Sequence, residues 1–215
     1  MNLYVNELYP CILGESLQAG LPAALVRLAG CNLDCCYCDT RHASQEPGRE
    51  MAADAVCREV LSMDLPRVLI TGGEPLLQKE GLAALCHELA AEGIEILVET
   101  NGTLPVSDAP PDAMLVVDVK TPGAKARVPF AESNLALLSP EDQLKFVLTG
   151  EADYRWALRF LAAHRVPVPP GNVLLSPAWG SLAPQTLAQW ILHDRLPYRF
   201  HMQMHKVVWG ERRGT

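Results

Sequence analysis

The sequence predicts an α/β fold, a partial (β/α)6-type barrel of mainly parallel strands. Six short apolar runs of five or six residues recur along the chain, the length expected of strands, and most are separated by stretches with apolar residues at helical spacing. Parallel neighbours need a crossover connection and a helix supplies it, so this order implies a parallel sheet. The runs at 67–71 and 114–119 are apolar without alternation, as in strands covered on both faces. Six such units suggest a partial or closed barrel, and an open doubly wound sheet fits the periodicity equally well.

The first run, ALVRL at 24–28, puts Ala24, Val26 and Leu28 on one face and Leu25 with Arg27 on the other. Residues 49–63 carry Val56, Val60 and Met63 at helical spacing. RVLIT at 67–71 is a second strand, and a Gly-Gly-Glu-Pro run follows it. Residues 78–92 form a helix on Leu82, Leu85 and Leu89, leading to strands at 94–99 (IEILVE) and 114–119 (MLVVDV). Residues 121–144 are punctuated by Pro and Gly and read as a loop with a degraded helix. Strand 144–149 (LKFVLT), helix 151–164, strand 172–176 (NVLLS) and helix 183–194 complete the pattern. The chain shows no internal repeat and no low-complexity segment.

At 215 residues the chain fits one domain, 1–215, large enough to bury a core. Its net charge of −7 disfavours a broad field for a phosphate backbone, so nucleic acid is not an expected partner. The chain has no apolar run of the ~18 to 20 residues that a bilayer requires, and its start lacks a basic region followed by an apolar one. A soluble, cytoplasmic protein without a membrane partner is expected.

Seven cysteines, four of them within residues 31–38, make a poor disulfide framework and point to a metal or redox site. Cys11, Cys57 and Cys86 are scattered, and the last two lie in helical patterns where packing is the expected role. Cys31, Cys35 and Cys38 form a C-x3-C-x2-C set directly after the first strand. Three thiolates on a cube of four irons leave one iron open to bind a ligand and pass it an electron. A structural zinc site on Cys31, Cys35, Cys38 and His42 has plausible spacing too, with Cys36 as another fourth ligand. Gly72 and Gly73 permit close backbone approach to a ligand, and Glu74 can accept from a cationic amine.

Cys31/Cys35/Tyr37/Cys38 and Gly72/Gly73/Glu74/Pro75 together resemble the signatures of radical S-adenosylmethionine enzymes. The resemblance implies a 4Fe-4S cluster whose open iron binds S-adenosylmethionine and reduces it to a 5'-deoxyadenosyl radical. Read with NELYPCILGES at the N-terminus, and with VETNGT, DVKTPG, LKFVL, LSPAWG and HMQMHKVVWG, the chain resembles the 7-carboxy-7-deazaguanine synthase family over nearly its whole length. That resemblance implies ring contraction of 6-carboxy-5,6,7,8-tetrahydropterin with loss of ammonia, assisted by magnesium. An electron donor such as flavodoxin or ferredoxin, and a homodimer, are further implications.

Residue roles follow from the same resemblance. Arg27, costly inside a barrel unless paired, is expected to receive the substrate carboxylate; the competing reading is an edge-strand arginine reaching water. Thr40 matches a magnesium ligand, an ion that prefers oxygen and keeps several waters. Ile12, Leu13, Gly14, Glu15 and Thr71 are expected at the pterin, Leu13 standing where the family often has Gln. Tyr37, Cys38, Asp39, Gly73, Glu74, Asp118, Val119, Lys120, Ser176, Pro177, Ala178 and Trp179 are expected at the cofactor. The Thr215 carboxylate is expected to contact substrate, making the N- and C-terminal stretches short substrate-binding extensions. Glu99 carries a weaker claim, Asn101 reads first as a turn, and His201, His205 and Lys206 read as a polar strand. Two alternatives stand beside this reading: an activating enzyme of the same superfamily, and a non-catalytic zinc module.

Overall fold

The computed structural model describes residues 1–214. Its elements are β1 (Asn2–Ile12), β2 (Pro22–Leu28), α1 (Arg41–Gln45), β3 (Arg49–Ala52), α2 (Ala53–Leu61), β4 (Arg67–Gly72), α3 (Lys79–Ala91), β5 (Glu95–Thr100), β6 (Met114–Asp118), β7 (Gln143–Leu148), α4 (Glu151–Ala163), β8 (Val173–Pro177), α5 (Pro184–His193), β9 (Arg199–Phe200) and α6 (Met204–Trp209). Nine strands form one sheet in the order β3-β1-β2-β4-β5-β6-β7-β8-β9. Every neighbour pair from β2 to β9 is parallel, while β1 runs antiparallel to both β2 and β3.

This order separates the two topologies that periodicity left open. A doubly wound sheet reverses its strand order at a switch point, whereas here β2 and then β4 to β9 succeed one another in chain order, as in a β/α barrel, with β3 set apart beside β1. The sheet keeps two edges, β3 and β9, so the barrel is partial.

All six predicted strands are present. Three further strands were not anticipated, and the expected helix at 49–63 begins only at Ala53 because residues 49–52 pair with β1. The register of β1 against β2 shifts between Val5 and Glu7, which breaks the period-2 signal a strand normally gives. Residues 121–142 hold only 3-10 turns, in keeping with a degraded helix, and the last two residues of the expected loop already belong to β7. His205 and Lys206 lie in α6, not in a strand.

One face of the sheet and the helices share a single core: Ala24, Val26 and Leu28 of β2 meet Val56, Val60, Leu82, Leu85 and Leu89, as their spacing requires. Each large apolar side chain buried this way contributes roughly 1.5–3 kcal/mol. Cys57 and Cys86 are buried in that core. The opposite face carries Leu25, Leu69 and Leu97 on adjacent strands, packed with Leu13, and forms the floor of a cavity. No helix among the described residues is long and apolar enough to cross a membrane.

Candidate active site

Alternation along β2 delivers Arg27 to the cavity face, beside Thr71 on β4. Glu99 on β5, Asp118 on β6 and Lys145 on β7 line the same face, and Asp118 pairs directly with Lys145. The cavity has a volume of about 330 Å³. It is bounded by the loop after β2, by residues 12–15 and by Gln203, His205, Lys206 and residues 210–214.

The thiols of Cys31, Cys35 and Cys38 all line this cavity. Burial pushes the Cys35 thiol up to about 11 and raises that of Cys31, so binding a metal centre here would release protons. The loop approaches the Gly-Gly-Glu-Pro turn so closely that a Cβ on Gly73 would overlap the Gly30 carbonyl and the Cys31 side chain. Hydrogen bonds from Gly73 N to Leu28 O (3.1 Å) and from Glu74 N to Gly30 O (2.8 Å) lock this contact.

Cys36 takes no part in the cavity lining; its Sγ reaches the Gly123 carbonyl at 3.1 Å. His42 also lines the cavity, its Nε2 buried without a hydrogen bond at 3.4 Å from Glu7 Oε2. Among the described residues no three or more His, Cys, Asp and Glu side chains are gathered as for a single metal ion.

Several polar atoms in and behind the wall are buried without a hydrogen-bond partner: Tyr37 OH, Asp118 Oδ1 and Ser176 Oγ. Buried polar groups are normally satisfied, so these atoms mark where a polar ligand fits. Lys120 Nζ bonds Asp118 Oδ2 at 2.8 Å and lies 5.7 Å from the Tyr37 ring centre, joining strand-end and cluster loop. Thr40 begins α1 without a side-chain capping bond, and its hydroxyl stands 3.8 Å from Cys38 Sγ. That hydroxyl is therefore not spent on the helix end.

Arg27 is 12% exposed and lies on an interior strand, not an edge. Its Nε donates to Glu7 Oε2 at 2.6 Å, and Glu7 Oε1 accepts from Arg213 Nε at 2.8 Å. Burial opposes ionisation of Glu7, but its hydrogen bonds to Arg27 and Arg213 win and hold the carboxyl below the usual range. Asp39 is likewise held low against the cost of burial by His205 and Lys206, with Lys206 Nζ at 3.2 Å. Met204 N donates to Gly14 O at 2.8 Å, so α6 is pinned to both loops.

Of the residues anticipated from sequence, Ile12, Leu13, Gly14, Glu15, Arg27, Cys31, Cys35, Tyr37, Cys38, Asp39, Thr40, Thr71, Gly73, Asp118, Lys120, Ala178 and Trp179 line the one cavity. Val119, Ser176 and Pro177 are buried and stand outside that lining. Glu74 corrects the expectation of an amine acceptor: it is wholly buried and turned into the fold. Its Oε1 accepts from Leu76 N (3.0 Å) and Thr100 Oγ1 (2.8 Å), and its Oε2 from Asn101 N (2.7 Å). Thr215 lies outside the described residues. Glu7, Lys145, Gln203 and Arg213 were not anticipated; the signal for Lys145 was a charge inside the apolar run LKFVL, the same kind that singled out Arg27.

Residues 25–118 match the model of the Radical SAM superfamily. The chain is 42% identical over 211 residues to the 7-carboxy-7-deazaguanine synthase of Chlorobaculum tepidum, covering 97% of this chain and 94% of that protein. It is 36% identical over 220 residues to that of Koribacter versatilis, covering 96% and 97%, and 37% identical over 205 residues to that of Methanospirillum hungatei JF-1, covering 95% and 84%. In fold it is similar to the crystal structure of QueE from Escherichia coli, with a TM-score of 0.77 at 21% identity over 95% of each chain. Streptococcus suis SuiB bound to precursor peptide SuiA superposes less fully, with a TM-score of 0.59 at 13% identity over 83% of this chain and 47% of that one.

Proposed function

The chain belongs to the 7-carboxy-7-deazaguanine synthase family, and from that premise we propose that its cavity converts 6-carboxy-5,6,7,8-tetrahydropterin into 7-carboxy-7-deazaguanine with loss of ammonia. This is a lyase step in 7-deazapurine (queuosine) formation. The observation that carries the reading is that the three thiols and the inward-facing Arg27 line one cavity.

Cys31, Cys35 and Cys38 would hold a 4Fe-4S cluster. Tyr37, Asp39, Gly73, Asp118, Val119, Lys120 and residues 176–179 would surround S-adenosylmethionine, a fit supported by the unpartnered Asp118 Oδ1 and Ser176 Oγ. Cluster and S-adenosylmethionine would together supply a hydrogen-abstracting radical. Loss of ammonia is redox-neutral overall, so the electron that a donor such as flavodoxin or ferredoxin would supply primes the cluster and is not used up in the ring contraction. Thr40, with the substrate carboxylate, would hold Mg2+ through oxygen.

The chain's own residues bind, orient and shield. Glu7 fixes the Nε edge of Arg27, which aims the opposite edge of the guanidinium fork at an incoming carboxylate; such a charge-assisted pair gains strength away from water. Leu25 and Leu69 give the cavity an apolar floor and Leu13 packs against them from the cover, which helps keep water from a reactive intermediate. Ile12, Gly14, Glu15 and Thr71 surround the pterin, and the stretches before β2 and after β9, Thr215 included, serve as the substrate-binding extensions of a single radical S-adenosylmethionine domain. A homodimer completes the reading.

Anaerobic reconstitution with iron and sulfide, followed by product analysis with S-adenosylmethionine, magnesium, a reductant and the tetrahydropterin, tests it. Product that disappears in Cys35→Ala is the expected result. A cluster-bearing protein that leaves the pterin unchanged would refute the substrate, and a colourless protein holding zinc would refute the enzyme.

A further inference from the structure

Lys145 is the most enclosed cation of the cavity, with its side chain 3% exposed. Its ammonium touches Glu15 Oε2 and Glu99 Oε1 and lies 3.2 Å from Asp118 Oδ2. These carboxylates come from three places in the chain: the loop after β1, the end of β5 and the end of β6. Each has a second anchor. Gln203 Nε2 donates to Glu15 Oε1 at 2.9 Å, Thr71 Oγ1 to Glu99 Oε2 at 3.4 Å, and Lys120 Nζ to Asp118 Oδ2 at 2.8 Å.

Burying an ammonium is costly, and an apolar side chain of similar volume fills such space at lower cost. Packing therefore does not explain a lysine here. Three carboxylates against two ammonium groups leave one negative charge in excess, and all five residues line the cavity. Burial opposes both ionisations, yet Lys145 draws Glu15 down to about 2, while burial raises Glu99 despite the same ammonium. One lysine thus organises two acceptors of different character on one side and Asp118 on the other.

We propose that Lys145 is a positioning residue that couples the two halves of the cavity, holding Glu15 and Glu99 toward the pterin and tying them to Asp118 on the cofactor side. This rests on the functional reading above. Without the ammonium, the two acidic side chains would repel each other and swing apart, and Asp118 would lose its link to them. Filling the cofactor side fixes Asp118, and through Lys145 it fixes the acceptors that the pterin meets.

The test uses cluster-loaded enzyme and the fluorescent, oxidised analogue 6-carboxypterin, titrated with and without S-adenosylmethionine. In the unaltered protein, S-adenosylmethionine should tighten 6-carboxypterin binding by about fivefold or more, the lower range of site-to-site coupling. Lys145→Met should weaken binding by about tenfold, equivalent to 1.4 kcal/mol, and abolish the effect of S-adenosylmethionine, with Lys145→Arg restoring both in part. Iron content and circular dichroism establish that each variant is folded and loaded, and Lys145→Gln replaces the Met variant if that one does not fold. Binding weakened with the S-adenosylmethionine effect intact, or unaltered binding, would overturn the proposal alone. An unaltered protein that binds no 6-carboxypterin would overturn the functional reading and this proposal with it.

Discussion

Glu7 holds Arg27 through a 2.6 Å bond to Nε and, with its other oxygen, holds Arg213 at 2.8 Å. One carboxylate therefore sets both the guanidinium in the cavity wall and the C-terminal segment above it. Arg27→Lys keeps the charge but loses the planar fork and the Glu7 bond. Loss of a charge-assisted bond predicts a rise in KM for the pterin of about 10- to 100-fold, with kcat less affected. Steady-state kinetics check it, and an unchanged KM would remove Arg27 from substrate binding.

The adjacent cysteines Cys35 and Cys36 should part company under mutation. Cys35→Ser should lose bound iron and its colour, because Cys35 lines the cavity, whereas Cys36→Ser should keep both, because its thiol points to the Gly123 carbonyl. Iron analysis and absorbance after anaerobic reconstitution distinguish the two. Colour lost in Cys36→Ser would return that residue to the ligand set.

Glu74 accepts three hydrogen bonds at zero exposure. Glu74→Gln turns one acceptor into a donor facing N–H or O–H, leaving buried groups unpaired, and should cost about 2 kcal/mol of stability. Urea denaturation reads this directly. Loss of cofactor affinity with stability unchanged would put the residue back at the ligand.

Arg213 also spans Glu46, donating at 2.9 and 2.8 Å to its two oxygens. Glu46, held chiefly by Arg213, is lowered to about 2 from 4.5, so what this pair contributes is present above pH 4.5 and is lost as pH falls toward 2. Both partners are about half exposed, so salt screens them. Amide exchange of residues 210–214 should accelerate at ~1 M salt, where the Debye length is about 3 Å, and equally in Arg213→Ala. Exchange insensitive to both would dismiss the latch.

His201 is lowered from 6.5, mainly by burial. Just below pH 6.5 the unfolded chain takes up a proton there that the folded chain refuses, so stability falls as pH drops through that window. Melting temperatures recorded from about pH 7 to about pH 5 should fall less steeply in His201→Gln. Parallel slopes would assign the acid sensitivity to another group.

Six of the seven inner strands and the cluster loop were legible because their signals are local: apolar runs, helical spacing, and three cysteines within eight residues. β1 was not, because the shift near Asn6 breaks its alternation and Pro10 argues against a strand. Arg27 announced itself as a charge in an apolar run, but its partner Glu7 lay in that unread strand. The Lys145 cluster gathers residues up to 130 positions apart in sequence, and local pattern carries no such information. The Gly-Gly-Glu-Pro run was read as backbone approaching a ligand, whereas Gly73 packs against the Gly30 carbonyl and the Cys31 side chain and Glu74 turns into the fold, since sequence does not say what a glycine lies against or which way a carboxylate turns.

The cover over the cavity consists of chain from two distant places, residues 12–15 and 203–214, joined by the Met204–Gly14 hydrogen bond. A closed barrel fixes its bore by strand number and shear. Here the bore ends against loops, which tolerate insertion and replacement. Evolution can therefore retailor what enters such an enzyme by rewriting its cover, while the strands and the cysteine loop after β2 stay as they are.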